Sequence, residues 1–151
     1  MSKKLTLKIN DVFKINQAIV ESLKNNENKY EFNYALSKNK RVIEKCVQDT
    51  NEEMSLINKE ISRIKVQYCL KDKDKKPVII RMSQDPSNSV YAGLEYGINP
   101  EYDDRMDEMN GNIKGLFTKE VEFEFYTIKK AHLPEKMTGT NLEALLDLIE
   151  E

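Results

Sequence analysis

From about residue 31 to residue 70, apolar side chains return every three or four positions with no glycine or proline to interrupt them. Leu36, Ile43, Thr50, Ile57 and Ile64 are spaced by seven, and Lys40, Val47, Met54, Ile61 and Tyr68 form a second row four residues on. A heptad sustained this long predicts one continuous helix with an apolar seam, flawed at Lys40 and Thr50. At 1.5 Å per residue its length is about 60 Å. A seam of that kind must be covered by something.

Shorter patterns flank it. In KLTLKI, Leu5, Leu7 and Ile9 point one way and Thr6 and Lys8 the other, which predicts a half-buried strand. Asn10 or Asp11 then caps a first helix with the stripe Val12, Ile15, Ile19 and Leu23. The asparagine-rich KNNENK ends it. After the long helix, KDKDKKP breaks the chain, VIIRM (78–82) has strand composition and SQDPSNS is loop. YAGLEYG (91–97) is a strand candidate weakened by two glycines. Asn99-Pro100 opens another helix, with Tyr102, Met106, Met109, Ile113 and Leu116 on one side. EVEFEFYTI (120–128) alternates most clearly: Val121, Phe123 and Phe125 oppose Glu122, Glu124 and Tyr126. NLEALLDLIEE predicts a last helix, capped by Thr138 or Thr140, with Leu142, Leu145, Leu146 and Ile149 inward.

The predicted class is α+β: a long central helix packed by two or three shorter ones, with a small antiparallel sheet from LTLKI, VIIRM and EVEFEFYTI. A length of 151 residues suits a single domain with its own core. The first and third helices together would cover about 45 Å of the long one. The remainder calls for a sheet, a second copy or a foreign partner, so a homo-oligomer or a protein partner along the central helix is expected.

Composition narrows the setting. Hydrophobic residues make up 39% and charged residues 33%, which suits exposed helices with charged outer faces. Lys plus Arg total 24 against 26 Asp plus Glu, and a net charge of -2 provides no global drive toward long nucleic acid or an anionic membrane. Cys46 and Cys69, if on one helix, are roughly 34 Å apart and cannot bridge. No apolar run reaches the roughly 20 residues of a membrane span. MSKKLTLKIND also lacks the apolar stretch of a signal peptide. A cytoplasmic protein with free thiols is expected.

Few residues suggest chemistry. His132 is the single histidine, in a stretch with the composition of an exposed loop. With two distant cysteines it makes no metal set, and no cofactor is expected. GNIKG (111–115) fits no phosphate-binding loop. Asp103, Asp104, Asp107 and Glu108 could pair carboxylates at i, i+4, but an acidic, solvated helix start favoured by the macrodipole is the preferred explanation. DKDKKP (72–77) lacks most of a calcium loop. No nucleophile, base and electrophile converge, so the protein is not expected to be an enzyme. Basic residues remain: Lys38, Lys40, Arg41 and Lys45 at the start of the long helix, and Arg63, Lys65, Lys71, Lys73, Lys75, Lys76 and Arg81 around its end. Tyr30, Tyr34, Tyr68, Tyr91 and Tyr96 lie near them in sequence. Cations with aromatics suit a phosphorylated ligand or nucleotide, charge for the phosphate and a flat face for a base. Lys40, Arg41, Lys45, Arg63, Lys65, Tyr68 and Arg81 are the predicted ligand-binding residues; a solvated outer face is the competing explanation. An inward Lys40 would have to snorkel out or meet an anion.

In order, KLTLK, QAIVESL, FNYALSKNKRVIEK, KDKDKKP, the acidic helix, KEVEFEFYTIKKAHLP and the leucine-rich end resemble a loose group of small bacteriophage proteins of unknown function. The longer stretch at 78–99 departs from that pattern. The group has no activity or site residues to carry over. Taken with the residues above, this setting leads to the expectation of a small non-enzymatic binding protein in an infected bacterial cytoplasm. Its role there would be a counter-defence inhibitor that blocks or sequesters a host defence protein or a phosphorylated or nucleotide signal. A virion structural or assembly protein acting through oligomerisation is the alternative.

Overall fold

A strand that runs directly into a helix opens the chain: β1 (Ser2–Lys8) is followed by α1 (Ile9–Leu23) with no residue between them. The computed structural model describes residues 1–68, 70–71, 77–78 and 100–150, and the side chains of 1–64 and 102–150. Then come α2 (Tyr30–Tyr68), β2 (Leu70–Lys71), β3 (Pro77–Val78), α3 (Pro100–Thr118), β4 (Glu120–Tyr126) and α4 (Gly139–Leu145). The class is α+β. The chain gathers into two compact units, Met1–Glu52 with Gly115–Glu151, and Glu53–Lys114. Among the described residues no helix is long and apolar enough to cross a membrane.

In the first unit, β1 and β4 pair antiparallel, with Leu5 opposite Phe123 and Leu7 opposite Val121 on the core side. The outer face sets Lys4 opposite Glu124 and Lys8 opposite Glu120. Such opposite-charge pairs contribute about 0.2–1 kcal/mol each, and the lysines discourage pairing with a stray strand. Among the described residues this sheet holds two of the three predicted strands. Of VIIRM, Val78 pairs with Leu70 in the separate β2–β3 rung, and residues 79–82 lie outside the described residues, as do SQDPSNS and YAGLEYG.

The start of α1 also differs from expectation. Neither Asn10 nor Asp11 caps it; the helix begins at Ile9, and its N-cap residue Lys8 makes no capping bond. The strand ladder does this work instead. The Ile9 N–H donates to the Lys119 carbonyl at 3.0 Å, satisfying one of the helix's orphan donors. At the other end the asparagines act as predicted. Asn25 Oδ1 accepts from the Glu27 N–H at 3.0 Å, and Asn28 Nδ2 donates to the Ser22 carbonyl at 2.6 Å. The first is a side-chain turn and the second takes up a helix-end acceptor.

The seam of α2 is real, and its second row departs from prediction at Lys40. Leu36, Ile43 and Thr50 are buried, and between them lies Asn39, fully buried, whereas Lys40 is exposed. Phe32 is buried on this stripe as well, and one heptad beyond Asn39 both Cys46 and Val47 are half-buried against the core. A helix turns once per 3.6 residues, so positions 39 and 40 both border the stripe, and packing decides. Thr50, the other polar flaw, donates its hydroxyl to the Cys46 carbonyl at 2.7 Å and is satisfied within the helix.

Asn39 fastens the helix to the sheet. Its Nδ2 donates to the Tyr126 carbonyl at 2.8 Å, and its Oδ1 accepts from the Tyr126 N–H at 2.7 Å. The amide thus imitates one rung of a neighbouring strand at the edge of β4. One step on, the chain's own end takes over: Ile128 N–H donates to the Leu148 carbonyl at 2.8 Å, and Glu150 N–H to the Ile128 carbonyl at 2.7 Å. This parallel bridge explains why the last helix is short. α4, capped by Thr138 Oγ1 at Asn141 N, passes into a 3-10 turn at Leu146–Leu148 so that Ile149 can extend beside Ile128. Leu145, Leu148 and Ile149 are therefore buried, while Leu142 and Leu146, predicted inward, are exposed. Val12, Ile15, Ile19, Phe32, Leu36, Ile43, Phe123 and Phe125 complete this core.

In the second unit, Ile64 is buried and Met54, Ile57 and Ile61 are half-buried. Asp103, Asp104, Asp107 and Glu108 are exposed on α3. Gly111 lies in that helix with open space where a Cβ would stand.

Replacing Asn39 by alanine leaves the Tyr126 N–H and carbonyl without these partners and should cost about 2 kcal/mol. Urea denaturation would read it as a lowered midpoint at constant slope. Gly111→Ala should act oppositely, raising stability by about 1 kcal/mol in the same assay, because only helix propensity changes.

Candidate functional site

The first turns of α2 carry tyrosines at helical spacing. Tyr30 and Tyr34, at i and i+4, stack with centroids 6.2 Å apart and planes at 27°. They are 78% and 43% exposed, unusual for aromatic rings of this size. Lys38, one turn further, extends along the same face. The Asn39 clamp sits beside it and brings Tyr126 of β4 against Tyr34, edge to face at 5.8 Å. Lys38 Nζ then lies 4.8 Å from the Tyr126 ring centre and 5.3 Å from that of Tyr34. A cation over two ring faces is held where an anion can reach it.

A cavity of about 400 Å3 opens against these rings. Thr127 forms part of its wall, fixed because its N–H and Oγ1 both donate to the Met1 carbonyl at 3.1 Å. Lys129 and His132 supply its basic groups and Glu31 and Glu150 its acidic ones. His132 is half-buried in a 3-10 turn, Lys130–His132, not in the exposed loop expected for it. Two bonds hold that turn: His132 N–H to the Lys129 carbonyl at 2.9 Å, and Lys29 Nζ to the Ala131 carbonyl at 2.7 Å. Aromatic walls, mobile ammonium groups and an imidazole can together stack a flat ring and hydrogen-bond an anionic group.

The residues predicted from sequence lie elsewhere. Lys40, Arg41 and Lys45 are exposed on α2, and none of them lines the cavity at Tyr34. Arg63 is exposed and pairs with Glu60 at 2.9 Å, one helical turn away. Lys65 and Tyr68 belong to α2, but their side chains lie outside the described residues, as does all of Arg81. The sequence signal for the observed cluster was present as Tyr30, Tyr34 and Lys38 at successive i+4 steps. Its other half, Tyr126, Lys129 and His132, is about ninety residues away and needs the fold to be seen.

Cys46 is the described nucleophile, and it is half-buried. Burial pushes its thiol above the ordinary range; a hydrogen bond with Thr50 opposes this, Asp49 adds to it and Lys119 opposes it. The folded state thus favours the neutral thiol. The stability this contributes is present below the ordinary thiol titration and is lost as pH rises through the elevated one. Alkylation of the Cys46 peptide, followed by mass spectrometry, should be slow at neutral pH and accelerate only at a higher pH than in the urea-unfolded chain. No family model, curated protein or solved structure matches this chain.

Proposed function

We propose that this chain is a non-enzymatic binding protein for a phosphorylated ligand with a flat ring, nucleotide in class, taken up at Tyr30, Tyr34 and Tyr126. One observation carries the reading: two exposed, stacked tyrosines, Tyr30 and Tyr34, line a cavity together with Tyr126, and Lys38 lies over the Tyr34 and Tyr126 rings. A base would stack on Tyr30 and Tyr34, while Lys38, Lys129 and His132 would meet the phosphate. Its volume, about 400 Å3, falls within the range of small-ligand sites. Compared with the residues singled out from sequence, the site keeps the ligand class and moves the contacts around α2. The resemblance to small phage proteins adds a setting, in which binding without turnover would withdraw a phosphorylated host signal. The assembly reading draws on Leu56, 64% exposed beside half-buried Met54 and Ile57; there α2 would join copies of the chain in a virion.

Calorimetric titration with mononucleotides, dinucleotides and inorganic phosphate tests the first reading. Saturable nucleotide binding is expected, weakened tenfold or more by Tyr34→Ala and by Lys38→Ala, with Arg41→Ala unchanged; loss of a stacked base of about 1–3 kcal/mol corresponds to this. Heat from none of these ligands would refute it. Binding lost in Arg41→Ala and kept in Tyr34→Ala would return the site to the outer face of α2.

A further inference from the structure

The cavity at Tyr34 has more than aromatic walls and cations. Its lining also includes two carboxylates, Glu31 and Glu150, together with Lys129 and His132. By charge alone both oppose the phosphate proposed for this site, so each needs a different partner in the ligand. A carboxylate only accepts hydrogen bonds, and it can accept two side by side. Its partner is therefore a donor-bearing part of the ligand, away from the phosphate.

The two carboxylates are not equivalent. Glu31 is exposed on the first turn of α2, where water competes for it. Glu150 is half-buried, and its backbone is fixed, because its N–H donates to the Ile128 carbonyl at 2.7 Å. That bond belongs to the parallel bridge of Ile128 with Ile149. The same stretch carries Tyr126, whose ring meets Tyr34, and Thr127, held to the Met1 carbonyl. Glu150 thus lines the aromatic cavity from an anchored segment. Among the described residues no ion pair ties it to Lys129 or His132.

Of the common bases, guanine alone presents two adjacent N–H donors, N1–H and the 2-amino group, which match the two oxygens of one carboxylate. Adenine and cytosine set a bare ring nitrogen beside their amino group, and that lone pair would face the carboxylate. Uracil has one N–H between two carbonyls. A half-buried acceptor that one base satisfies, and the others repel or leave unpaired, discriminates strongly between them.

We infer that Glu150 makes the site selective for guanine nucleotides. It accepts from the base edge while Tyr30 and Tyr34 stack on the base and Lys38, Lys129 and His132 hold the phosphate. The inference rests on the nucleotide reading and adds to it the choice of base.

Calorimetric titration of the full chain with guanosine, inosine and adenosine monophosphates tests it. Guanosine monophosphate should bind at least tenfold tighter than adenosine monophosphate. Inosine monophosphate, which keeps N1–H and lacks the 2-amino group, should fall between them. Glu150→Gln should weaken guanosine monophosphate at least tenfold and strengthen adenosine monophosphate, because an amide can donate to the ring nitrogen and accept from the amino group. Glu122→Gln, exposed on the outer face of the sheet, should change neither. Equal affinities in the wild-type chain would overturn the assignment whatever the variant does, and so would a guanine preference that survives Glu150→Gln. If Tyr34→Ala still weakened every nucleotide in those cases, the nucleotide reading would stand without this selectivity. Heat from none of the three would overturn both.

Discussion

One side-chain amide stands in for a missing strand. β4 has β1 on one side. On its other side, among the described residues, it meets Asn39 at Tyr126 and then, at Ile128, the stretch around Ile149. A two-stranded sheet is marginal in water and needs something packed on it or paired with it. Asn39 does both at once: it comes from the buried seam of α2 and gives β4 two short hydrogen bonds at its edge. The distance between helix and strand follows from the reach of one amide. So does the meeting of Tyr126 with Tyr34 and Lys38, which occupy the neighbouring turn. Core and candidate site thus depend on the same contact.

This contact also explains why the seam tolerates a polar residue. A buried amide costs free energy unless it is satisfied, and here both ends are, by backbone groups that would otherwise lack partners. An apolar residue at 39 would fill the same buried position but would leave the edge of β4 unanswered. Thr50 solves the same problem locally, by donating back to its own helix. Two polar positions on one seam therefore do different jobs: one joins elements and the other only keeps a hydroxyl satisfied.

Much of the fold was legible because it is periodic. The alternation in KLTLKI and EVEFEFY marks β1 and β4 with their core faces, and the helical stripe Val12, Ile15, Ile19 is buried as spaced. What was not legible depended on choices that period alone leaves open. Residues 39 and 40 differ by 100° on a helix yet both border the stripe, so sequence made Lys40 the inward residue and the packing made it Asn39. The cap of α1 was misplaced because the strand ladder, a partner distant in sequence, supplies what Asn10 or Asp11 was expected to supply. Leu142 and Leu146 look helical and inward, but α4 turns Leu142 outward, and the 3-10 turn that brings Ile149 beside Ile128 leaves Leu146 exposed. The candidate site was half-visible for the same reason: α2 writes its tyrosines in register, and β4 adds the rest only after folding.

Net charge conceals the arrangement that matters most for binding. A total of -2 over the chain reads as near neutrality. In the first unit, however, two cavities differ in kind. One is walled by aromatic rings, with Lys38 over two of them, and its lining balances Lys129 and His132 against Glu31 and Glu150. The other, between α1 and α4, sets four carboxylates against one lysine over an apolar floor. At physiological ionic strength the Debye length is about 8 Å, so each cavity acts on a ligand through its own lining and hardly through the sum of the chain. A mixed composition excludes one large field, but it permits two small ones of different character, and α1 and α2 hold them apart on separate faces of one core.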